Sequence, residues 1–194
     1  LVLASWWSPS GTEADHFLRI GGIVGDPACS VDEKLTREVN LTASKTIGQI
    51  AKSSGVEKFI FASSCSVYGA QNSILNEESP TNPLSLYAKT KIASEKVLEE
   101  LSDANFKPIF LRFGTVFGFS GRTRFDLVVN LLTAHAFYKK KMTIFGEDQI
   151  RPFVHVNDAA NSIVCALESS MNLRENLVFN IGSNALNVTL YQLA

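Results

Sequence analysis

Lys58-Phe59-Ile60-Phe61-Ala62-Ser63-Ser64-Cys65-Ser66-Val67-Tyr68-Gly69 is an apolar run that ends in a cluster of hydroxyl groups. A strand of a parallel sheet is buried on both faces, and its sequence is therefore almost continuously apolar. In open α/β sheets the ligand chemistry lies at the carboxyl ends of the strands. This stretch therefore predicts an α/β fold in which Ser63, Ser64 and Ser66 lie at the functional edge of a sheet.

A tyrosine and a lysine four residues apart follow in the stretch Ser85-Leu86-Tyr87-Ala88-Lys89-Thr90-Lys91. Apolar residues at helical spacing over 93–101 predict a helix, and residues i and i+4 share one helix face. A nearby ammonium favours the phenolate of a tyrosine, whose ordinary pKa is about 10. Tyr87 and Lys91 are thus a candidate proton-transfer pair. On its own this spacing is common in helices, where a solvated face is the ordinary explanation.

Three later stretches follow the serine-rich strand and the Tyr87–Lys91 pair: LRFGTVFG at 111–118, RPFVHVND at 151–158 and FNIG at 179–182. Together these motifs resemble the extended short-chain dehydrogenase/reductase family, in particular its nucleotide-sugar epimerase and dehydratase branch. The resemblance covers residues 19–194. It implies a Rossmann-type doubly wound parallel sheet, incomplete at the N-terminus, with a smaller C-terminal substrate-binding lobe.

The resemblance and the residue patterns divide the chain into three parts. Residues 1–18 are unassigned, 19–118 form a partial NAD-binding Rossmann domain, and 119–194 are mainly the substrate-binding lobe, with a late strand at 178–181. Apolar spacing and Gly or Pro stop signals predict the local elements. We expect a short strand beginning at 17, a helix at 38–52, strands at 58–63 and 108–113, a helix at 125–138 and a strand at 142–146.

The resemblance implies a catalytic triad of Ser64, Tyr87 and Lys91. Ser64 would hydrogen-bond the reacting sugar hydroxyl and stabilise the keto oxygen, Tyr87 would take the proton, and Lys91 would also hold the nicotinamide ribose. The 4,6-dehydratases of this branch carry an Asp-Glu pair directly after the serine. Cys65 and Ser66 stand there in this chain, and neither is a carboxylate. Dehydration is therefore disfavoured.

The resemblance also assigns binding roles. The cofactor would be NAD, in contact with Gly21, Gly22, Asn40, Ser63, Tyr87, Lys91 and Phe113. The substrate would be a nucleotide sugar, in contact with Ser64, Ser66, Tyr87, Thr115, Phe145 and Arg151. A guanidinium at position 151 suits a diphosphate, whereas Thr115 stands where the family usually has Asn, which leaves that contact open. A Gly-Gly pair and a single helical Asn also have plain structural explanations, a turn and a local hydrogen bond.

The chain contains no G-x-G-x-x-G or G-x-x-G-x-x-G turn. Such a turn brings backbone N–H groups to the pyrophosphate of a dinucleotide, and in the family it lies in the first strand–helix unit. Because the chain also begins with Leu1 rather than Met, we expect it to be the middle of a longer protein. The acidic residue that distinguishes NAD from NADP is absent too, so the choice between them stays open.

Composition argues against several other classes of protein. The net charge of −1 offers no electrostatic case for binding nucleic acid or a membrane surface, and no apolar run reaches 18 residues. The three cysteines, Cys29, Cys65 and Cys165, show no metal spacing, as expected for thiols in a reducing cytosol. We therefore expect a cytoplasmic protein without a metal site. The resemblance implies that the full-length protein is a homodimer.

The activity implied by the resemblance is that of an NAD-dependent nucleotide-sugar epimerase of the UDP-glucose 4-epimerase type. It would oxidise the sugar transiently at C4 and return hydride to the opposite face. An NAD(P)-dependent reductase of a nucleotide sugar or small carbonyl is one alternative, because it would share the triad but consume its cofactor. A truncated, non-catalytic fragment is another, and its unpaired strand edges would make it unstable.

Overall fold

The computed structural model describes residues 4–7, 15–71, 74–121, 123–146, 148–169 and 177–194. The chain forms two compact units. The first comprises 1–112 and 165–180, and the second comprises 113–164 and 181–194. Residues 165–180, which include most of the late strand predicted at 178–181, belong to the first unit. The roles predicted for the parts of the chain stay predictions.

A five-stranded sheet organises the first unit, and its strands are ordered β1-β2-β3-β4-β7. The strands are β1 (Ala4–Trp7), β2 (His16–Arg19), β3 (Lys58–Ser64), β4 (Lys107–Phe113) and β7 (Val178–Ile181). Strands β2 and β3 are parallel, with Phe17 opposite Phe59 and Arg19 opposite Phe61. The α/β fold with a parallel sheet is therefore confirmed.

Strand β1 lies in the segment to which the sequence assigned no structure, and it pairs antiparallel with β2. Only residues 8–15 separate the two strands. A parallel connection needs a dozen or more residues, whereas antiparallel neighbours can be joined by a short loop. The direction of β1 therefore follows from the length of its connection.

The helices of the first unit are α1 (Asp26–Val31), α2 (Glu33–Arg37), α3 (Ala43–Ser53) and α4 (Leu86–Glu99). A π-helical segment (Glu38–Thr42) joins α2 to α3. The helix predicted at 38–52 is present, and its first turn is π-helical. Within this segment the carbonyls of Val39 and Asn40 accept hydrogen bonds from side chains outside it. π segments of this kind are frequent at functional sites.

Aromatic side chains from three neighbouring strands, and from Phe106 just before β4, form much of the core of the first unit. Phe17 stacks on Phe59 with ring centroids 5.1 Å apart, Phe59 lies 5.8 Å from Phe106, and Phe61 meets Phe110 edge to face at 6.3 Å. All five rings are buried. Close-packed rings of this kind hold the strand ends in fixed positions.

The second unit contains a three-stranded sheet in the order β5-β6-β8. Its strands are β5 (Thr115–Phe117), β6 (Ile150–His155) and β8 (Asn187–Thr189), and the remaining helices are α5 (Val128–Lys139), α6 (Val156–Glu168) and α7 (Leu190–Leu193). The strand predicted at 142–146 is wrong, because these residues run through loop and bend and Gly146 has a φ of 73°. No helix in the described part of the chain is long and apolar enough to cross a membrane.

Candidate active site

Ser64 is the last residue of β3, and the short 3₁₀ helix that follows it (Cys65–Tyr68) holds its hydroxyl. Both the N–H and the hydroxyl of Ser66 donate to Ser64 Oγ, at 3.2 and 3.0 Å. A hydroxyl oxygen that accepts two bonds keeps its own O–H for a third partner. Ser66 therefore orients Ser64, while the substrate contact predicted for Ser66 itself stays a prediction.

Tyr87 lies in the first turn of α4, which begins after the proline-containing loop 76–83. Ser85 caps this helix, since its hydroxyl oxygen accepts the N–H of Ala88 at 3.2 Å. A cap of this kind satisfies one of the free N–H groups at a helix start and fixes where the helix begins. Tyr87 is only partly buried, so its side chain lies within reach of a ligand.

Lys91 lies one turn beyond Tyr87 and is anchored to β3. Its Nζ atom donates to the carbonyl oxygen of Ala62 at 2.6 Å, two residues before Ser64. The same Nζ lies 4.8 Å from the ring centroid of Phe61 and 5.7 Å from that of Tyr87. The structure thus brings the lysine of the predicted pair to the tyrosine ring and to the strand that ends in the predicted serine.

Burial changes the acidity of the Lys91 ammonium. Only 5% of this residue is exposed. Burial in the first place, and the charge of Arg19 in the second, lower the pKa of Lys91 from 10.5 to about 8, against the opposing effects of Glu95 and Cys29. Desolvation disfavours the charged form of a lysine. Lys91 is therefore charged at neutral pH but loses its proton at moderately alkaline pH.

Asn40 joins the glycine segment after β2 to helix α4. Its Oδ1 accepts the N–H of Ile23 at 2.8 Å, and its Nδ2 donates to the carbonyl of Ile23 at 2.9 Å and to Thr90 Oγ1 at 3.3 Å. A β-carbon added at Gly22 would lie 2.9 Å from Asn40 Oδ1. Asn40 therefore ties the backbone beside Gly22 to Thr90, the residue that precedes Lys91. The cofactor contact predicted for Asn40 stays a prediction.

A buried ion pair between α4 and β4 was not predicted from the sequence. Arg112 of β4 donates to both carboxylate oxygens of Glu95 of α4, at 2.6 and 3.1 Å, and to the hydroxyl of Tyr68 at 2.8 Å. Although burial by itself lowers the pKa of Arg112, the hydrogen bonds and charges of Glu95 and Tyr68 raise it above its ordinary value. The available signals were an Arg within an apolar strand and a Glu four residues after Lys91, on the same helix face.

Ser63 belongs to this buried network. Its hydroxyl donates to Glu95 Oε1, and only 4% of the residue is exposed. The cofactor contact predicted for Ser63 would therefore have to come from its backbone.

The donors of the first unit fit the ribose of a dinucleotide. An ammonium carries three N–H donors, and within the described ranges the Lys91 ammonium gives one hydrogen bond, to the carbonyl of Ala62. The remaining donors suit the neighbouring hydroxyls of a ribose. Gly21 and Gly22, both partly exposed, offer backbone without side chains at the end of β2. These residues therefore fit a nicotinamide dinucleotide.

The remaining predicted binding residues belong to the second unit. Thr115 begins β5 opposite Phe153 of β6, and Arg151 of β6 lies opposite Val188 of β8. Arg151 is exposed and donates to Gln149 Oε1 at 3.1 Å. The other two are Phe145, which is 82% exposed, and the partly buried Phe113. Their roles toward a ligand stay predictions.

The family model described as "NAD dependent epimerase/dehydratase family" matches residues 9–182. The chain belongs to this family, and the resemblance seen in the sequence is confirmed. Among curated relatives, the UDP-glucose 4-epimerase of Bacillus subtilis (strain 168) is 29% identical over 163 residues, which are 74% of this chain and 48% of that protein. The chain spans about half the length of the curated relatives it matches.

Solved structures agree with this assignment. MoeE5 in complex with UDP-glucose and NAD matches 92% of this chain and 60% of its own, with a TM-score of 0.80 and 27% identity. The UDP-glucuronic acid 4-epimerase from Bacillus cereus in complex with NAD matches 88% of this chain and 54% of its own, with a TM-score of 0.76 and 28% identity. The Rossmann-type fold predicted from the sequence is therefore confirmed.

Proposed function

We propose that this chain is the catalytic part of an NAD-dependent nucleotide-sugar epimerase of the UDP-glucose 4-epimerase type. The observation that carries the proposal is the position of the Lys91 ammonium. It lies beside the Tyr87 ring and is bonded to Ala62 of the strand that ends in Ser64. A base, a cation that supports it and a hydroxyl donor thus come from two adjoining elements. The relatives named UDP-glucose 4-epimerase support the same activity.

In this proposal the residues of the chain manage the proton and the orientation of the sugar. Tyr87, as phenolate, takes the proton from the C4 hydroxyl, and the ammonium of Lys91 stabilises the phenolate. Ser64 donates a hydrogen bond to the C4 oxygen and keeps its own proton. Its O–H is available for this bond because Ser64 Oγ already accepts two hydrogen bonds from Ser66. Tyr87 returns the proton after the 4-keto sugar has turned in the pocket.

NAD, when bound, would accept the hydride from C4 and return it to the other face of the sugar. Lys91 would hold the nicotinamide ribose, and the backbone of Gly21, Gly22 and Ser63, with Phe113, would border the cofactor. Asn40 would act through the Ile23 backbone, to which it is bonded twice.

The substrate contacts are part of the same proposal. The guanidinium of Arg151 would pair with the diphosphate, Phe145 would border the nucleotide base, and Thr115 would give one hydrogen bond. Cys65 and Ser66 follow Ser64 in place of carboxylates, so elimination of water has no acid–base pair at these positions. A cytoplasmic location and a homodimer complete the proposal, and light scattering of the whole protein tests the dimer.

Incubation of the protein, expressed from its whole gene, with UDP-glucose tests the activity. We expect the C4 epimer to form without accumulation of NADH, whereas net change in NADH absorbance would favour the alternative reductase. The Tyr87→Phe variant should lose nearly all turnover while it retains the bound dinucleotide. The matched control is Tyr138→Phe, since Tyr138 is an exposed tyrosine of α5. Turnover retained by Tyr87→Phe would contradict the proposal.

A further inference from the structure

Arg19, the last residue of β2, is a fully buried guanidinium with few hydrogen bonds. It is 0% exposed. Its Nη2 donates to the carbonyl of Val39 at 3.0 Å, while Nε and Nη1 have no acceptor among the residues that the structure describes. Buried donors without acceptors are costly, and a buried cation without a counter-ion more so. An apolar side chain could fill this position without the cost of a buried guanidinium, so packing alone does not explain Arg19.

Two structural routes connect Arg19 with Lys91. Along the sheet, Arg19 lies opposite Phe61 in the register of β2 and β3, and the Lys91 ammonium lies over the Phe61 ring. Neighbouring residues on adjacent strands are about 5 Å apart. Along the π-helical segment, Arg19 binds the carbonyl of Val39, and the next residue, Asn40, binds the residue before Lys91. The two cations are therefore held near each other.

The acidic groups around Lys91 do not neutralise this second cation. Glu95, one turn further along α4, is engaged by Arg112 through both of its oxygens. Burial raises the pKa of the Cys29 thiol on α1, which keeps it neutral at physiological pH, and Asp26 acts in the same direction. On its own helix Lys91 also faces Tyr87. Glu95 and Cys29 therefore offset the effect of Arg19 on Lys91 only in part.

We propose that the buried guanidinium of Arg19 acts through Lys91 and lowers the alkaline limit of the reaction beyond what burial does. The inference rests on the proposed function, in which charged Lys91 supports the Tyr87 phenolate. Loss of the Lys91 proton removes that support. Because a nearby like charge favours this loss, Arg19 brings the limit to lower pH. Arg19 is in this sense a positioning residue.

The test replaces Arg19 by neutral residues, Arg19→Met and Arg19→Gln, in the whole protein. The charge control is Arg37→Met, which removes an exposed arginine of α2. NMR titration with ¹³C-labelled lysine follows the Lys91 ammonium directly, with its signal assigned from Lys91→Arg. We expect the Lys91 midpoint to rise by about one pH unit in both neutral Arg19 variants and to stay in place in Arg37→Met.

The alkaline limb of kcat for the conversion of UDP-glucose should move upward by the same amount. An unchanged Lys91 midpoint, an equal shift in Arg37→Met, or failure of both neutral variants to fold would overturn the inference and leave Arg19 a structural role. A shifted Lys91 midpoint together with a parent protein that shows no turnover would support the coupling of Arg19 to Lys91 while refuting the proposed function. The two proposals can therefore fail separately.

Discussion

Arg112 and Glu95 form a two-point ion pair between β4 and α4, with Nη2–Oε2 at 2.6 Å and Nε–Oε1 at 3.1 Å. Both side chains are almost fully buried, at 6% and 5% exposure. The pair also reaches Tyr68, whose hydroxyl donates to Asn180 of β7 at 2.8 Å. One buried charge pair thus joins the helix that carries Tyr87 and Lys91 to several strands of the sheet.

Glu95→Gln should destabilise the protein strongly. The substitution removes the negative charge and leaves the guanidinium of Arg112 buried without a counter-ion. Breaking a buried pair in this way costs about 3–5 kcal/mol. Urea unfolding measures the loss of unfolding free energy. The control is Glu99→Gln, which removes an exposed carboxylate from the same helix.

The double variant Glu95→Leu/Arg112→Met should recover much of this stability, because no unpaired charge remains. A double-mutant cycle with the single variants gives the coupling energy. A coupling near zero would contradict the view that the two residues act as a pair.

Ser66→Ala should reduce turnover without loss of the fold. The variant keeps the N–H bond to Ser64 Oγ but removes the hydroxyl bond at 3.0 Å, which leaves the Ser64 hydroxyl free to rotate. We expect kcat to fall by about tenfold, equivalent to one ordinary hydrogen bond, with little change in KM. Ser53→Ala, an exposed serine at the end of α3, is the control. A larger effect on KM than on kcat would instead indicate direct substrate binding by Ser66.

Gly22→Ala should weaken the binding of the dinucleotide. The added β-carbon would lie 2.9 Å from Asn40 Oδ1, closer than real contacts allow, so the Asn40–Ile23 bonds must shift. We expect a loss of about 1–3 kcal/mol in unfolding free energy, together with a lower dinucleotide content of the purified protein. Gly121→Ala is the matched control, because nothing lies within 4 Å of its added carbon. Equal dinucleotide content in both variants would contradict the role given to Gly22.

Strand β3 and helix α4 could be predicted because their signals are local. A continuous apolar run ends in serines, and an uninterrupted helical pattern follows a proline-containing loop. The prediction of a strand at 142–146 was wrong because its local signal was weak. Its few apolar residues pair with no strand in the described part of the chain, and Gly146 has a backbone conformation that ends extended structure.

Apart from Lys91, the buried charged residues around the site could not be predicted in the same way. Arg19, Glu95 and Arg112 lie within otherwise ordinary elements, and their burial depends on partners that are distant in sequence. Hydrophobic periodicity assigns such residues to an exposed face. The π-helical segment at Glu38–Thr42 was missed because its cause is also long-range: Arg19 and Ser94 bind its carbonyls.

Lys91 should make the stability of the protein depend on alkaline pH. Its pKa is about 8 in the folded state, below the ordinary value of 10.5 that we take for the unfolded chain. Below pH 8 the folded protein bears the full cost of the buried charge. Between pH 8 and 10.5 the unfolded chain binds more protons than the folded one, so the unfolding free energy rises with pH because of this group.

Urea unfolding of the parent protein and of Lys91→Met across this pH range isolates the contribution. The unfolding free energy of the parent, relative to that of Lys91→Met, should increase by about 3 kcal/mol between pH 8 and 10.5. Lys89→Met removes an exposed lysine of the same helix, and its difference from the parent should stay constant. If the Lys91→Met difference is also constant with pH, Lys91 is not held in the folded protein as a destabilised cation. In that case burial would not limit the pH range in which this lysine supports Tyr87.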